Sequence, residues 1–151
     1  MKHALTILVV LAIALCPVAA LRAQEEQPVT DEKPLIEKAV RDYIDGWYEG
    51  NAERMARALH PDLTKRRVVA LPNGKEMFNT ISADALVAYT EMGFGKKSKQ
   101  EGQKNEVIIL DVSPQTATAK SISHEFIDYL HLAKVDGQWR IINVLWEPAK
   151  P

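Results

Sequence analysis

The sequence predicts an α+β fold, three N-terminal helices packed on a strongly curved antiparallel sheet, and three features carry that reading. In the first half, apolar residues recur at helical spacing. The end of the chain reads EFIDYLHLAKVDGQWRIINVLW, two runs of branched and aromatic residues around Asp136-Gly137, the dipeptide that most readily takes the left-handed positions of a tight hairpin. Both faces of that hairpin are apolar, whereas a sheet with one side in water would alternate.

The first helix starts near Pro34, well placed in a first turn, and its apolar stripe is Ile36, Val40, Tyr43, Ile44 and Trp47. Its wet side is Glu37, Lys38, Arg41, Asp42 and Asp45. Gly50 ends it. Asn51 caps a short second helix with Met55, Ala56 and Leu59 inward, and His60-Pro61 stops it. Ser82 caps a third helix, where Asp84 complements the dipole and Ile81 staples against Leu86, before Gly93 closes it. Between the second and third helices, Leu63 to Phe78 reads as an irregular hairpin or loop around Pro72-Asn73-Gly74. Lys96 to Asn105 is polar and lysine-rich, a solvated loop.

Val107 to Val112 is the first strand of a three-stranded meander, and a turn at Pro114-Gln115 leads to one long strand from Ala117 to Ala133. With that turn, Val107 faces Ile122 and Ile109 faces Lys120. At the final hairpin Val135 faces Gln138, Leu132 faces Ile141, Leu130 faces Asn143, Asp128 faces Leu145 and Ile127 faces Trp146. Alternation then collects Phe126, Asp128, Leu130, Leu132, Trp139, Ile141, Asn143 and Leu145 on one face, joined by Val107, Ile109, Ile122 and His124. The opposite face collects Ile127, Tyr129, His131, Ile142, Val144 and Trp146.

The 151 residues suffice for one domain and a short extra segment. Met1-Lys2-His3 is basic, Ala4 to Leu15 is an apolar run interrupted only by Thr6, and small residues surround Val18-Ala19-Ala20 and Ala23, the pattern of a secretory signal peptide over residues 1–23. Residues 24–33 form a polar, flexible lead, and 34–147 the domain. Export places the protein in the periplasm or outside a bacterial cell, with no membrane association after cleavage. The single cysteine, Cys16, lies in the removed segment, so the mature chain uses neither disulfides nor thiol chemistry. With 19 basic against 20 acidic residues, two of the basic ones in the signal, the domain is a poor match for nucleic acid.

The helical stretch IEKAVRDYIDGWYEGNAERMARALHPDL and the terminal DYLHLAKVDGQWRIINVLW resemble the nuclear transport factor 2-like superfamily. Within it they are most similar to the group named "putative lumazine-binding", related to the SnoaL-like cyclases and the ketosteroid isomerases. The resemblance runs from Pro34 to Trp146. It implies a conical pocket between helices and sheet and a homodimer formed by the outer sheet face. The same fold hosts isomerases, dehydratases, cyclases, transport adaptors and bare binding proteins, so it specifies architecture better than chemistry.

On the face assigned to the helices, His124, Asp128 and Asn143 are polar among apolar neighbours. A buried carboxylate must be hydrogen-bonded, near water or functional, which makes Asp128 the first candidate base and His124 the second. Tyr43, Trp47, Tyr89 and Met92 are candidates for the walls, with His60 and Asp62 near the rim, and Lys65-Arg66-Arg67 is the densest basic cluster, suited to an anion at the mouth. Ligand contact is therefore expected at Tyr43, Trp47, Tyr89, His124, Asp128 and Asn143. The dimer face is expected to use Tyr129, His131, Ile142, Val144 and Trp146. His3, His60, His124 and His131 lack metal-ligand spacing, and neither a phosphate-binding glycine loop nor a serine elbow is present, so no metal or cofactor is expected. These residues fit a non-catalytic binder of a small, partly aromatic molecule. They also fit an isomerase or dehydratase using Asp128 or His124 as base, or a module docking a different protein through the outer face.

Overall fold

The computed structural model describes residues 31–149, so the signal peptide and most of the flexible lead lie outside the described residues. The elements run α1 (Lys33–Glu49), α2 (Ala52–Ala58), β1 (Leu59–Ala70), β2 (Glu76–Ser82), α3 (Ala83–Glu91), α4 (Phe94–Ser98), β3 (Glu106–Val112), β4 (Thr116–Ile122), β5 (Phe126–Val135) and β6 (Gln138–Pro148). Six strands form one curved, unclosed sheet in the order β2-β1-β6-β5-β4-β3, with β1 parallel to β6 and every other pair antiparallel. Among the described residues there are four helices where the sequence predicted three, and the first sheet hairpin is inserted between α2 and α3.

The helices form where their sequences dictate. In α1, Ile36, Val40, Tyr43 and Ile44 turn inward and bury fully against the sheet, and Gly50 takes a left-handed φ of 66° to end it. Asn51 Oδ1 accepts the Arg54 N–H at 3.0 Å and Ser82 Oγ accepts that of Ala85 at 3.3 Å, so both predicted caps are made. Asp42, read as a wet residue, is buried instead: Lys38 Nζ donates to it at 2.7 Å and Arg54 Nε at 3.1 Å, which ties α2 to α1. Ala56 is exposed, and Ala58 takes the inward position expected for it. The fourth helix, read as the start of a loop, follows Gly93, whose φ is 73°.

Leu59 to Ser82 is a regular hairpin rather than a loop, and the stop predicted at His60-Pro61 falls within β1. The expected long strand from Ala117 to Ala133 is broken at Ser123-His124-Glu125 into β4 and β5, giving a four-stranded meander. No turn dipeptide marks that break. The Ser123 side chain makes it, its Oγ accepting the backbone N–H groups of Phe126 at 3.0 Å and Glu125 at 3.3 Å.

Two β-bulges move the register away from the one predicted. Asp136 and Gly137 do take the left-handed turn positions, with φ of 51° and 75°, and Val135↔Gln138 and Leu132↔Ile141 pair as expected. Ile142 is then an extra residue, so His131 faces Asn143, Leu130 faces Val144 and Asp128 faces Trp146. Side chains beyond it exchange faces. Asn143 and Leu145 lie on the outer face, not the helix side, while Val144 and Trp146 lie inside rather than on the dimer face. A second bulge at Leu110 pairs Ile109 with Ala119 and Val107 with Ser121, which keeps Val107 and Ile109 on the core and turns Ile122 and Lys120 out. The core lies between α1 and the inner faces of β4, β5 and β6, with Ala119, Leu130, Leu132, Ile141 and Val144 at its centre.

Candidate functional site

Alternation along β1 sends Leu63, Lys65, Arg67 and Val69 to the helix side and Thr64, Arg66 and Val68 outward. Lys65 is 5% exposed and Asp128, on β5, is 0% exposed. Lys65 Nζ donates to Asp128 Oδ1 and, at 2.5 Å, to the Tyr43 hydroxyl of α1. Tyr43 in turn donates to Asp128 Oδ1 at 3.3 Å and Ser121 Oγ donates to Oδ2 at 3.3 Å. The buried carboxylate is thus neutralised by one cation and bonded on both oxygens, which is how a charge persists away from water.

A pocket opens beside this cluster, with about 480 Å³ of space between atoms, part of it open to solvent, a size for a small molecule. Tyr43, Trp47, Phe126 and Trp146 supply aromatic walls, Ile44, Met55, Ile81 and Leu86 the aliphatic ones, Tyr89 stands at the edge, and Lys65 is the charged lining residue. The rings are ordered against one another. Phe126 meets Trp146 edge to face at 5.2 Å and Trp47 at 6.4 Å, and Lys65 Nζ lies 4.8 Å from the Trp146 ring centre and 5.2 Å from that of Tyr43. Tyr89 stacks on Phe94 of α4 at 5.5 Å.

Of the residues predicted to contact a ligand, Tyr43, Trp47 and Tyr89 line this pocket. Asp128 lies behind Lys65 and Tyr43 and reaches the pocket through them. His124 sits in the β4–β5 turn with its ring 5.3 Å from that of Tyr48, outside the lining. Asn143 is on the other side of the sheet, accepting from Arg66 Nη1 at 3.0 Å with its amide 3.3 Å from His131 Nδ1. Met92 is exposed, and His60 accepts the Asp62 N–H at 3.2 Å at the far end of β1, away from the pocket. Tyr129, His131 and Ile142 do face outward, as predicted. Trp146 is a lining residue that sequence reasoning placed on the opposite face, and Lys65, expected at the pocket mouth, is buried within the lining. One signal for Lys65 was available: an inward Asp128 requires a buried cation, and Leu63-Thr64-Lys65-Arg66-Arg67-Val68 alternates if read as a strand.

Burial pulls the Lys65 ammonium below the ordinary lysine range, and the adjacent Asp128 opposes that pull. Burial also pushes the Tyr43 phenol well above its ordinary 10.0, reinforced by the Asp128 charge, and raises Tyr48 in the same direction. Above about pH 10 the folded state therefore holds phenol protons that the unfolded chain releases, so stability falls as pH rises. The contribution is complete below the ordinary value of 10.0. Lys65, lowered, acts in the opposite sense but only beneath its ordinary 10.5. Urea unfolding at pH about 9 and about 11.5 should show this alkaline loss, and Tyr43→Phe should reduce it. An unchanged pH slope in that variant contradicts the assignment to Tyr43.

The same arrangement of helices and sheet occurs in solved structures. An "NTF2-like protein" from Shewanella baltica OS155 matches with a TM-score of 0.62 at 15% identity, over 83% of this chain and 99% of that one. One from Methylobacillus flagellatus KT matches at 0.61 with 21% identity, over 80% and 94%. A "ketosteroid isomerase-like protein" from Erwinia carotovora atroseptica SCRI1043 matches at 0.57 with 14% identity, over 81% and 99%. At these identities the likeness is one of fold. No curated protein matches the chain. The model of the family described as "Putative lumazine-binding" matches residues 31–147, the whole of the described domain but its last residues. By that match the chain belongs to the putative lumazine-binding family, within the nuclear transport factor 2-like superfamily.

Proposed function

We propose that this is an exported, non-catalytic protein that binds a small, flat, partly aromatic molecule in the pocket between α1, α3 and the inner face of the sheet. Small-molecule binding agrees with the family. The observation that carries the reading is the pocket itself, walled by Tyr43, Trp47, Phe126 and Trp146 and floored by a neutralised ion pair. A non-catalytic role is supported by the state of Asp128. A general base needs a free lone pair within reach of substrate, whereas this carboxylate is shielded by Lys65, Tyr43 and Ser121. Export rests on the basic start and apolar run of residues 1–15. Native mass spectrometry of the protein purified from its own host tests binding: a retained molecule below about 500 Da is expected, a mass typical of pockets of this size. A bare polypeptide mass, together with no uptake of flat aromatic probes, contradicts the reading.

The outer sheet face is proposed to join two copies. There Tyr129 is 44% exposed and Leu145 49% exposed beside Ile142, an apolar area on the side away from the helices. Light scattering of the mature protein is expected to give a dimer mass and Leu145→Asp a monomer. A monomeric parent instead favours the reading in which this face docks another protein.

A further inference from the structure

We propose that the pocket takes an uncharged ring system with hydrocarbon edges and excludes heterocycles whose edges need hydrogen bonds, the lumazine of the family's own description among them. This rests on the pocket reading above and deepens it by naming the class of ligand. Of the side chains that line the hollow, Ile44, Met55, Ile81, Leu86 and Phe126 carry neither nitrogen nor oxygen. The remaining five do, and in four of them that atom is withheld from a ligand.

The Tyr43 hydroxyl donates to Asp128 and accepts from Lys65, and the residue is 3% exposed. Lys65 Nζ spends two of its three donors on Asp128 and Tyr43. Its other side is covered by ring faces, with the centre of Trp146 at 4.8 Å and that of Phe126 at 5.6 Å, so cation–π contact stands where a ligand's acceptor would have to. Trp47 Nε1 is buried against α4, where a Cβ on Gly95 would lie 2.4 Å from it, and Trp146 Nε1 is buried as well. Neither indole nitrogen has surface from which to reach the hollow. Tyr89 is the exception: 37% exposed, it is the most solvent-accessible lining residue and marks the rim, where a polar substituent meets water.

A wall of this kind holds a ligand through hydrophobic transfer, ring contact and dispersion alone, in proportion to the apolar area that leaves water. It returns nothing for a hydrogen bond to water that the ligand gives up. One amide-like group moved unpaired into such surroundings loses about ten- to hundredfold in affinity, and an ionised group loses far more. Lumazine carries nitrogen or oxygen on both of its rings, so turning one edge to the rim at Tyr89 strands the other. The Lys65–Asp128 pair does not change this, because its two charges cancel and its donors are spent within the protein.

Three probes with the same two-ring outline test this by equilibrium dialysis against the mature protein: 2-methylnaphthalene, 2-methylquinoxaline, in which two ring nitrogens replace C–H groups, and lumazine. Affinity should fall in that order, with 2-methylnaphthalene about hundredfold or more above lumazine. Ile81 is a half-buried lining residue on the edge strand β2, so Ile81→Asn puts a hydrogen-bonding group into the wall at a position that tolerates one. With folding checked by circular dichroism, it should cost 2-methylnaphthalene about tenfold and narrow its lead over lumazine. Ile81→Thr, closer in shape and suited to a strand, makes the same test if the asparagine variant does not fold. Lumazine bound as tightly as 2-methylnaphthalene, or more tightly, overturns the inference and leaves the pocket reading intact. An equal affinity of parent and folded Ile81 variant for 2-methylnaphthalene puts that probe outside the hollow and overturns the inference as well. Binding of none of the three overturns the pocket reading itself.

Discussion

Lys65→Met is expected to destabilise the protein by about 3–5 kcal/mol, because it leaves the carboxylate of Asp128 buried with no cation. Asp128 is 0% exposed, so water cannot take the place of the ammonium. Tyr43 and Ser121 still donate to it, but two neutral donors at 3.3 Å do not neutralise a charge. Removing both partners should do less harm. In Lys65→Met/Asp128→Leu the charge is gone and hydrocarbon fills the space, and the residual loss is that of the Tyr43 and Ser121 hydroxyls, which lose Asp128 as acceptor, about 1–3 kcal/mol together. Urea unfolding of the two variants decides it. A single variant as stable as the parent, or a double variant worse than the single, shows that the pair is not what holds β1 and β5 to α1.

Gly95→Ala is expected to lower stability by about 1–3 kcal/mol, although alanine is the better helix former by about 1 kcal/mol. Gly95 lies in α4 directly against α1, and a Cβ there would stand 2.4 Å from both Cδ1 and Nε1 of Trp47 and 2.5 Å from its carbonyl oxygen. An indole can rotate away. The Trp47 carbonyl is part of the α1 backbone and cannot, so α4 must lift off or the pocket wall must move. Loss of stability together with a changed Trp47 emission is the expected result in thermal melts followed by fluorescence. A gain in stability, the propensity outcome, contradicts the close approach.

How far these features could be read in advance depended on the kind of signal. Helix ends are local chemistry, so Asn51, Ser82 and Gly50 announced themselves, as did Asp136-Gly137. Register is not local. A bulge at Ile142 needs only one extra residue among Ile141, Ile142 and Val144, and with apolar residues wanted on both sides, alternation gives no penalty that would reveal the slip. That single residue carried Asn143 out of the predicted pocket and Trp146 into it. The break at Ser123 was hidden for a related reason, since a serine side chain rather than a glycine turn makes it. Lys65 was legible only as part of a basic triplet at the pocket mouth, and pairing it with the buried Asp128 is what singles it out from Arg66 and Arg67.

The central claim is that the hollow between helices and sheet is where a small molecule sits, and the indole N–H signals of the three tryptophans test it directly. Trp47 and Trp146 line the hollow, whereas Trp139 donates its N–H to Glu32 at 2.7 Å elsewhere in the fold and serves as a control. In ¹H–¹⁵N spectra, addition of 2-methylnaphthalene should shift the Trp47 and Trp146 indole signals and leave that of Trp139 in place. Saturable shifts at Trp139 alone, or none at any indole while backbone signals on the outer sheet face move, would contradict it.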